Sequence, residues 1–255
     1  MLIAIDVGNT QTVMGLFEGE ELVDSWRLST VRDRTADEYR LYFAGLLHQD
    51  GYRLEDVDGV ALSSVVPVAK AAMIQVAEEM IQGELVVVGP GVRTGMPINI
   101  DNPREVGADR VVNSVAAKHK YGTPVVAVDF GTSTNMDVVD ASGAYIGGAI
   151  APGLEVSQDA LIRATAALRR VDMTTPRAAI GRNTVEAIQS GLLFGHAGLV
   201  DGLVDRIIAE VGGDPAVVAT GGLASTIVPH CRSVSIVDTT LTLDGLRLVY
   251  EMNQE

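Results

Sequence analysis

The sequence predicts a two-lobed α/β protein, and three observations predict it. Apolar, strand-like runs alternate with helical patterns along the chain. The opening run IAIDVGNTQTVMGLF (3–17) is matched in design by VAVDFGTSTNMDVVD (126–140). Each has a β-rich stretch, an Asp, one residue, a Gly, then hydroxyl or amide side chains. No low-complexity linker parts the two halves, so the repeat reads as two related lobes sharing an extensive interface.

The elements follow in order. Leu2 to Asp6 is a strand and Thr12 to Phe17 a second. EGEE turns the chain into a third, Leu22 to Leu28. Residues 35–51 read as a helix, with Thr35 and Glu38 at capping-box spacing and Gly51 closing it. VDGVALSSVV (57–66) is a buried strand, 68–81 a helix and GELVVVG a strand. NPREVGADRVVNSVAAKH (102–119) has a charged turn followed by apolar residues at helical spacing. The second lobe repeats strand, Gly-Thr turn, strand, Asp-Ala-Ser-Gly turn and strand over 124–150. LEVSQDALIRATAALRRV (154–171) reads as helix. A long helical region, 183–212, starts with Asn183 and Glu186 at cap-like spacing. PAVVATGG (215–222) runs a strand into a Gly-Gly turn, and 240–254 reads as a last helix. The expected lobes are 1–115 and 116–235, with 236–255 returning to the first.

Composition narrows the function. The formal net charge is −14, which argues against a nucleic-acid surface. An anionic ligand needs local donors: backbone N–H groups, a metal ion or a placed Arg. Cys231 is the single cysteine, which excludes an intrachain disulfide and a Cys-rich metal site. Only four apolar residues precede Asp6 after Met1, so no signal peptide is expected. No apolar stretch reaches the ~18 residues of a membrane span. A soluble cytoplasmic protein is the expectation. The four histidines show no zinc spacing. GPGVRTG (89–95) lacks the ending of a Walker loop and the spacing of a dinucleotide loop. Trp26 is expected to pack rather than stack on a base.

A lone Asp-x-Gly at a strand end is usually just a turn. Two copies in a repeated unit are different. Gly8 and Gly131 allow a ligand near the backbone, and Thr10, Thr12, Thr132 and Thr134 offer hydroxyls. A carboxylate in such a turn repels phosphate unless a cation lies between them. The pattern therefore points to phosphate and metal together. In GADR (107–110), Asp109 and Arg110 either decorate a helix start or supply a proton acceptor and a cation for an anionic alcohol substrate.

The paired turns, with VVATGG (217–222) as an adenosine-binding turn, resemble the acetate and sugar kinase, Hsp70 and actin superfamily. That resemblance implies two ribonuclease H-like lobes with a nucleotide cleft between them. DVGNT (6–10), NPREVGADR (102–110), VDFGTST (128–134), GGAIAPGL (147–154) and GRNTVEAIQSG (181–191) resemble the type III pantothenate kinases over nearly the whole chain. Asn135 and Met136 depart from that family's pattern just past the second turn. The resemblance implies ATP-dependent phosphorylation of pantothenate to 4′-phosphopantothenate, the first step of coenzyme A biosynthesis. It implies ATP contacts at Asp6, Val7, Gly8, Asn9, Thr10, Gln11, Thr12, Val13 and Thr132. Pantothenate falls to Gly107, Ala108, Asp109, Arg110 and Thr184, with Asp109 accepting the proton. Asp6 orients Mg²⁺ through water, and Asp129 holds a monovalent cation, K⁺ or NH₄⁺. A homodimer with substrate sites near its interface is implied. Two other readings use the same scaffold: a different small-molecule kinase or phosphatase, and a non-catalytic regulator.

Overall fold

In the computed structural model, residues 1–81 and 83–254 are described; Gln82 and Glu255, the last residue of the C-terminal segment, lie outside them. The chain divides into one unit of residues 1–97, 101–116 and 240–255 and a second of 98–100 and 117–239. In the first, β1 (Leu2–Val7), β2 (Gln11–Glu18) and β3 (Glu21–Ser29) form an antiparallel meander. Helix α1 (Ala36–Gln49) follows, and the Thr35–Glu38 capping box is formed. Strand β4 (Gly59–Ser64) then pairs parallel to β1. Helix α2 (Pro67–Met80) leads to β5 (Glu84–Val87), and α3 (Ala108–Tyr121) follows, its residues through 116 in the first unit and 117–121 in the second. Strand β1 is buried on both faces because helices cover both, which is why it reads as an unbroken apolar run.

The second unit contains β6 (Val125–Phe130), β7 (Ser133–Val139), β8 (Tyr145–Pro152), α4 (Leu154–Arg163) and α5 (Thr184–Val211). Strand β9 (Ala216–Thr220), the short helix α6 (Ala224–Ile227) and β10 (Ile236–Val237) follow. Helix α7 (Leu241–Met252) belongs to the first unit, where it packs on β1 and β4.

Among the described residues the two sheets run β3-β2-β1-β4-β5 and β8-β7-β6-β9-β10. The repeat seen in the sequence is thus a repeat of whole sheets, with β6 in the place of β1. Their turns differ by one residue: Asp6 faces Val13 across the hairpin, whereas Asp129 faces Asn135. Structural register therefore pairs Thr12 with Thr134 and Met14 with Met136. Both methionines are buried, at 2% and 0% exposure, so Met136 is a core residue.

The helix expected over 154–171 stops at Arg163. The Thr165 hydroxyl donates to the Leu161 carbonyl at 2.9 Å, a local bond that competes with helix continuation. Beyond it the chain folds back. Gln158 Nε2 donates to the Val171 carbonyl at 3.0 Å, and Arg170 pairs with Asp159 at 2.8 Å. Trp26 packs as expected, its indole N–H donating to Asp50 at 2.7 Å. No helix among the described residues is long and apolar enough to cross a membrane.

Candidate active site

The first unit gathers two of the sequence motifs. Asp6 lies at the end of β1, with Val7 buried behind it. Gly8, Asn9 and Thr10 make the turn, closed by the Gly8 amide donating to the Gln11 carbonyl at 3.0 Å. A Cβ at Gly8 would sit 3.0 Å from that same carbonyl, so glycine suits the position. Gln11, Thr12 and Val13 begin β2. Thr12 is only 1% exposed, and its hydroxyl shares a 2.9 Å hydrogen bond with that of Thr30.

Ser63 on β4 lies level with Asp6 and donates its hydroxyl to the Asp6 carboxylate. Burial pushes the Asp6 carboxyl up to about 7; the Ser63 bond opposes this and the nearby Asp109 carboxylate adds to it. Two carboxylates with this mutual repulsion fit a cation. Among the described residues no group of three or more His, Cys, Asp or Glu forms a cage. One or two carboxylates with the remaining sites left to water and phosphate is the arrangement Mg²⁺ prefers.

Asp109 and Arg110 stand in the first turn of α3, after Gly107 and Ala108. Asp109 Oδ1 accepts from the Arg110 amide at 2.8 Å. The carboxylate folds back over Gly107, where a Cβ would come within 2.5 Å of Oδ1. Glycine at 107 is therefore what lets Asp109 take this pose. Burial raises the Asp109 pKa, with the Arg110 amide and guanidinium working against it. The result is a carboxylate more basic than usual, beside a cation.

The second unit holds the remaining motifs. Asp129 ends β6, and the Gly131 amide donates to the Ser133 carbonyl at 3.0 Å. Thr132 is exposed at the turn, and its carbonyl accepts from the Gly153 amide at 3.1 Å. The Gly-Gly turn after β9 lies against the same place. Gly221 has a φ of +92°, and a Cβ there would overlap Asp129 Oδ1 and sit 2.7 Å from the Phe130 backbone. Asn135, 7% exposed, accepts from the Ser133 hydroxyl at 3.0 Å. Thr184 is exposed at the start of α5, beside the capping Asn183, which accepts from the Glu186 amide at 2.9 Å. Gln189 and Ser190 pin the preceding loop, at the Asp172 and Ala179 carbonyls, 2.7 and 2.6 Å away.

Sequence reading missed Ser63, Thr30 and His196. Ser63 carries a usable signal, a polar residue at the end of a buried strand; Thr30, just past the largely exposed β3, carries none. His196 shows none, because its partner lies 62 residues away.

Known proteins agree with the family that these motifs resemble. A curated type III pantothenate kinase from Moorella thermoacetica is 49% identical over 253 residues, covering 99% of this chain and 100% of its own. One from Frankia alni is 51% identical over 254 residues with the same coverages, and one from Geobacter sulfurreducens 49% over 255, complete in both. Among solved structures, component A of the (R)-2-hydroxyglutaryl-CoA dehydratase of Acidaminococcus fermentans matches with a TM-score of 0.58 at 15% identity, covering 100% of this chain and 99% of that one. The ROK hexokinase of Thermus thermophilus matches with 0.51 at 13%, with the same coverages. These two share the fold. The family model for type III pantothenate kinase matches residues 2–206. The chain belongs to the type III pantothenate kinase family.

Proposed function

We propose that this enzyme transfers the γ-phosphoryl group of ATP to the primary hydroxyl of pantothenate, giving 4′-phosphopantothenate and ADP in the first step of coenzyme A biosynthesis. The observation that carries the chemistry is Asp109. Its Oδ1 is engaged by the Arg110 amide, and burial raises its basicity. Oδ2 takes the hydroxyl proton as the oxygen–phosphorus bond forms and the bond to ADP breaks. Arg110 holds the pantothenate carboxylate, and Thr184 contacts the same substrate. Residues 6–13 and Thr132 contact ATP. Asp6 would orient Mg²⁺ through water, and the ion would neutralise developing charge on the phosphates. Asp129 would hold K⁺ or NH₄⁺.

A coupled ADP-release assay tests this. ADP release should require pantothenate and Mg²⁺, and K⁺ or NH₄⁺ should support it where Na⁺ alone does not. Phosphate release without an alcohol acceptor would instead mark a phosphatase. Asp129→Ala should weaken ATP use; full activity of that variant in K⁺-free buffer overturns the cation assignment.

We infer also that a second copy of the chain covers the outer face of α5, giving a homodimer. Gly191, Gly195 and Gly198 are exposed there, and a Cβ at each would meet nothing within 4 Å. Each glycine costs a helix about 1 kcal/mol relative to alanine. Val185 and Leu199 lie exposed on the same helix, at 49% and 36%. Open glycines beside exposed apolar side chains suit a closely approaching helix. Light scattering should show a dimer at micromolar concentration, and Gly195→Leu should dissociate it. A fully active wild-type monomer at that concentration refutes the assignment.

A further inference from the structure

Two buried threonines hold the same place in the two units. Thr12 faces Val7 across the first hairpin, and Thr134 faces Phe130 across the second; each is 1% exposed. A buried hydroxyl needs a partner. Thr12 finds Thr30 just past the neighbouring strand, and the Thr30 amide also donates to the Thr10 carbonyl at 2.9 Å. Thr134 has a different partner. Its hydroxyl shares a 2.8 Å hydrogen bond with Nε2 of His196, which projects from α5 and is itself 5% exposed.

His196 touches both strands that flank the second turn. Its ring lies 6.2 Å from that of Phe130 on β6, while its nitrogen holds Thr134 on β7. Between those two residues stand Gly131, Thr132 and Ser133, and Asp129 immediately precedes Phe130. Phe130 is also where the Gly-Gly turn rests, its carbonyl accepting from the Leu223 amide at 3.2 Å. Burial lowers the His196 pKa, so the ring is neutral, with one nitrogen to donate and one to accept.

We propose that His196 is a positioning residue which, through Thr134, fixes the Asp129–Thr132 turn in the shape that receives ATP and its monovalent cation. It touches neither ligand. This rests on the assignment of that turn to ATP and the cation under the proposed function. Loss of the bond leaves a buried hydroxyl without a partner and lets the two ends of the turn separate. The effect belongs in nucleotide and cation binding rather than in the proton transfer, which depends on Asp109.

Four variants test this: His196→Phe, His196→Gln, Thr134→Val and Asp129→Ala. His196→Phe keeps a ring but no nitrogen, and should raise KM for ATP and the half-activating K⁺ concentration about tenfold, with kcat nearly unchanged. His196→Gln places an amide near the Nε2 position and should restore most of the loss. Thr134→Val, an isosteric change, should reproduce the His196→Phe defect, and the double variant should be no worse than either alone. Thr134→Val and His196→Gln carry the test if His196→Phe does not fold. Wild-type KM for ATP and K⁺ dependence in His196→Phe or Thr134→Val, with only a lower Tm, reduces His196 to packing and overturns the proposal. If Asp129→Ala shows the ATP defect while those variants do not, the turn assignment stands and the positioning role alone falls. If Asp129→Ala is also unaffected, both fall.

Discussion

Asp109→Asn lowers kcat by about two to four orders of magnitude, the range a positioned general base typically supplies. An alcohol is a weak nucleophile, and its proton has to leave as the phosphoryl group arrives. Asparagine nearly matches the shape of Asp109 and still offers an oxygen to the Arg110 amide, so the start of α3 survives. What disappears is the basic oxygen. KM for ATP should hardly move, because residues 6–13 are untouched. Arg110→Ala should act mainly on KM for pantothenate. Steady-state kinetics on folded variants decides. Near-normal turnover in Asp109→Asn reduces Asp109 to a helix-start residue and removes the proposed base.

Asp6→Asn carries the second large effect, and it has opposite signs for activity and stability. The Asp6 pKa is raised to about 7, mainly by burial, with Asp109 adding to it. The fold therefore holds this proton more tightly than the unfolded chain does. The stability it contributes is complete below about pH 4 and is lost as pH rises through 7. Metal-free protein should be less stable at pH 8 than at pH 5 by on the order of 2–4 kcal/mol from this group. Asp109, also raised, adds in the same direction. Asp6→Asn should flatten much of that slope and raise Tm at pH 8, while ATP-dependent turnover falls at least about a hundredfold. Thermal melts in chelator from pH 5 to 8 read the first effect, and the ADP-release assay reads the second. An unchanged slope in Asp6→Asn contradicts the placement of a strained carboxylate at this site.

Local signals were legible in the sequence and pairing was not. The Thr35–Glu38 capping box, the Asn183 cap and the strand–turn–strand repeat each depend on residues a few positions apart. The two-lobed α/β class follows from that repeat. The one-residue difference between the turns is a matter of register, which strand pairing sets. Aligned by sequence alone, Thr12 falls opposite Asn135; aligned by pairing, it falls opposite Thr134. The overlong reading of α4 has a similar cause. Ala166, Ala167, Leu168 and Arg169 all favour helix, yet Thr165 and the grip of Gln158 on Val171 end it. For the site, Asp6 at a strand end and Asp109 in a helix's first turn were visible as such. The partners of Ser63 and His196 were not, because each bond joins segments distant in sequence.

Helix α7 has a consequence for how the protein is made. In chain order it is the last stretch of the first unit, and β1 is the first element of that unit. Leu241, Leu246 and Val249 are buried on it. It also braces α3: the Thr242 hydroxyl donates to Asn113 at 2.7 Å, and a Cβ on Gly245 would overlap the Val112 carbonyl. On the ribosome, then, order of completion reverses order of synthesis. All of the second unit is made before the sheet begun by β1 receives its cover, and domains generally fold as units. The helix bearing Asp109 gains its brace only after the whole second unit has been made. A chain truncated before Thr240 and released is thus expected to hold a folded second unit and an incomplete, inactive first one.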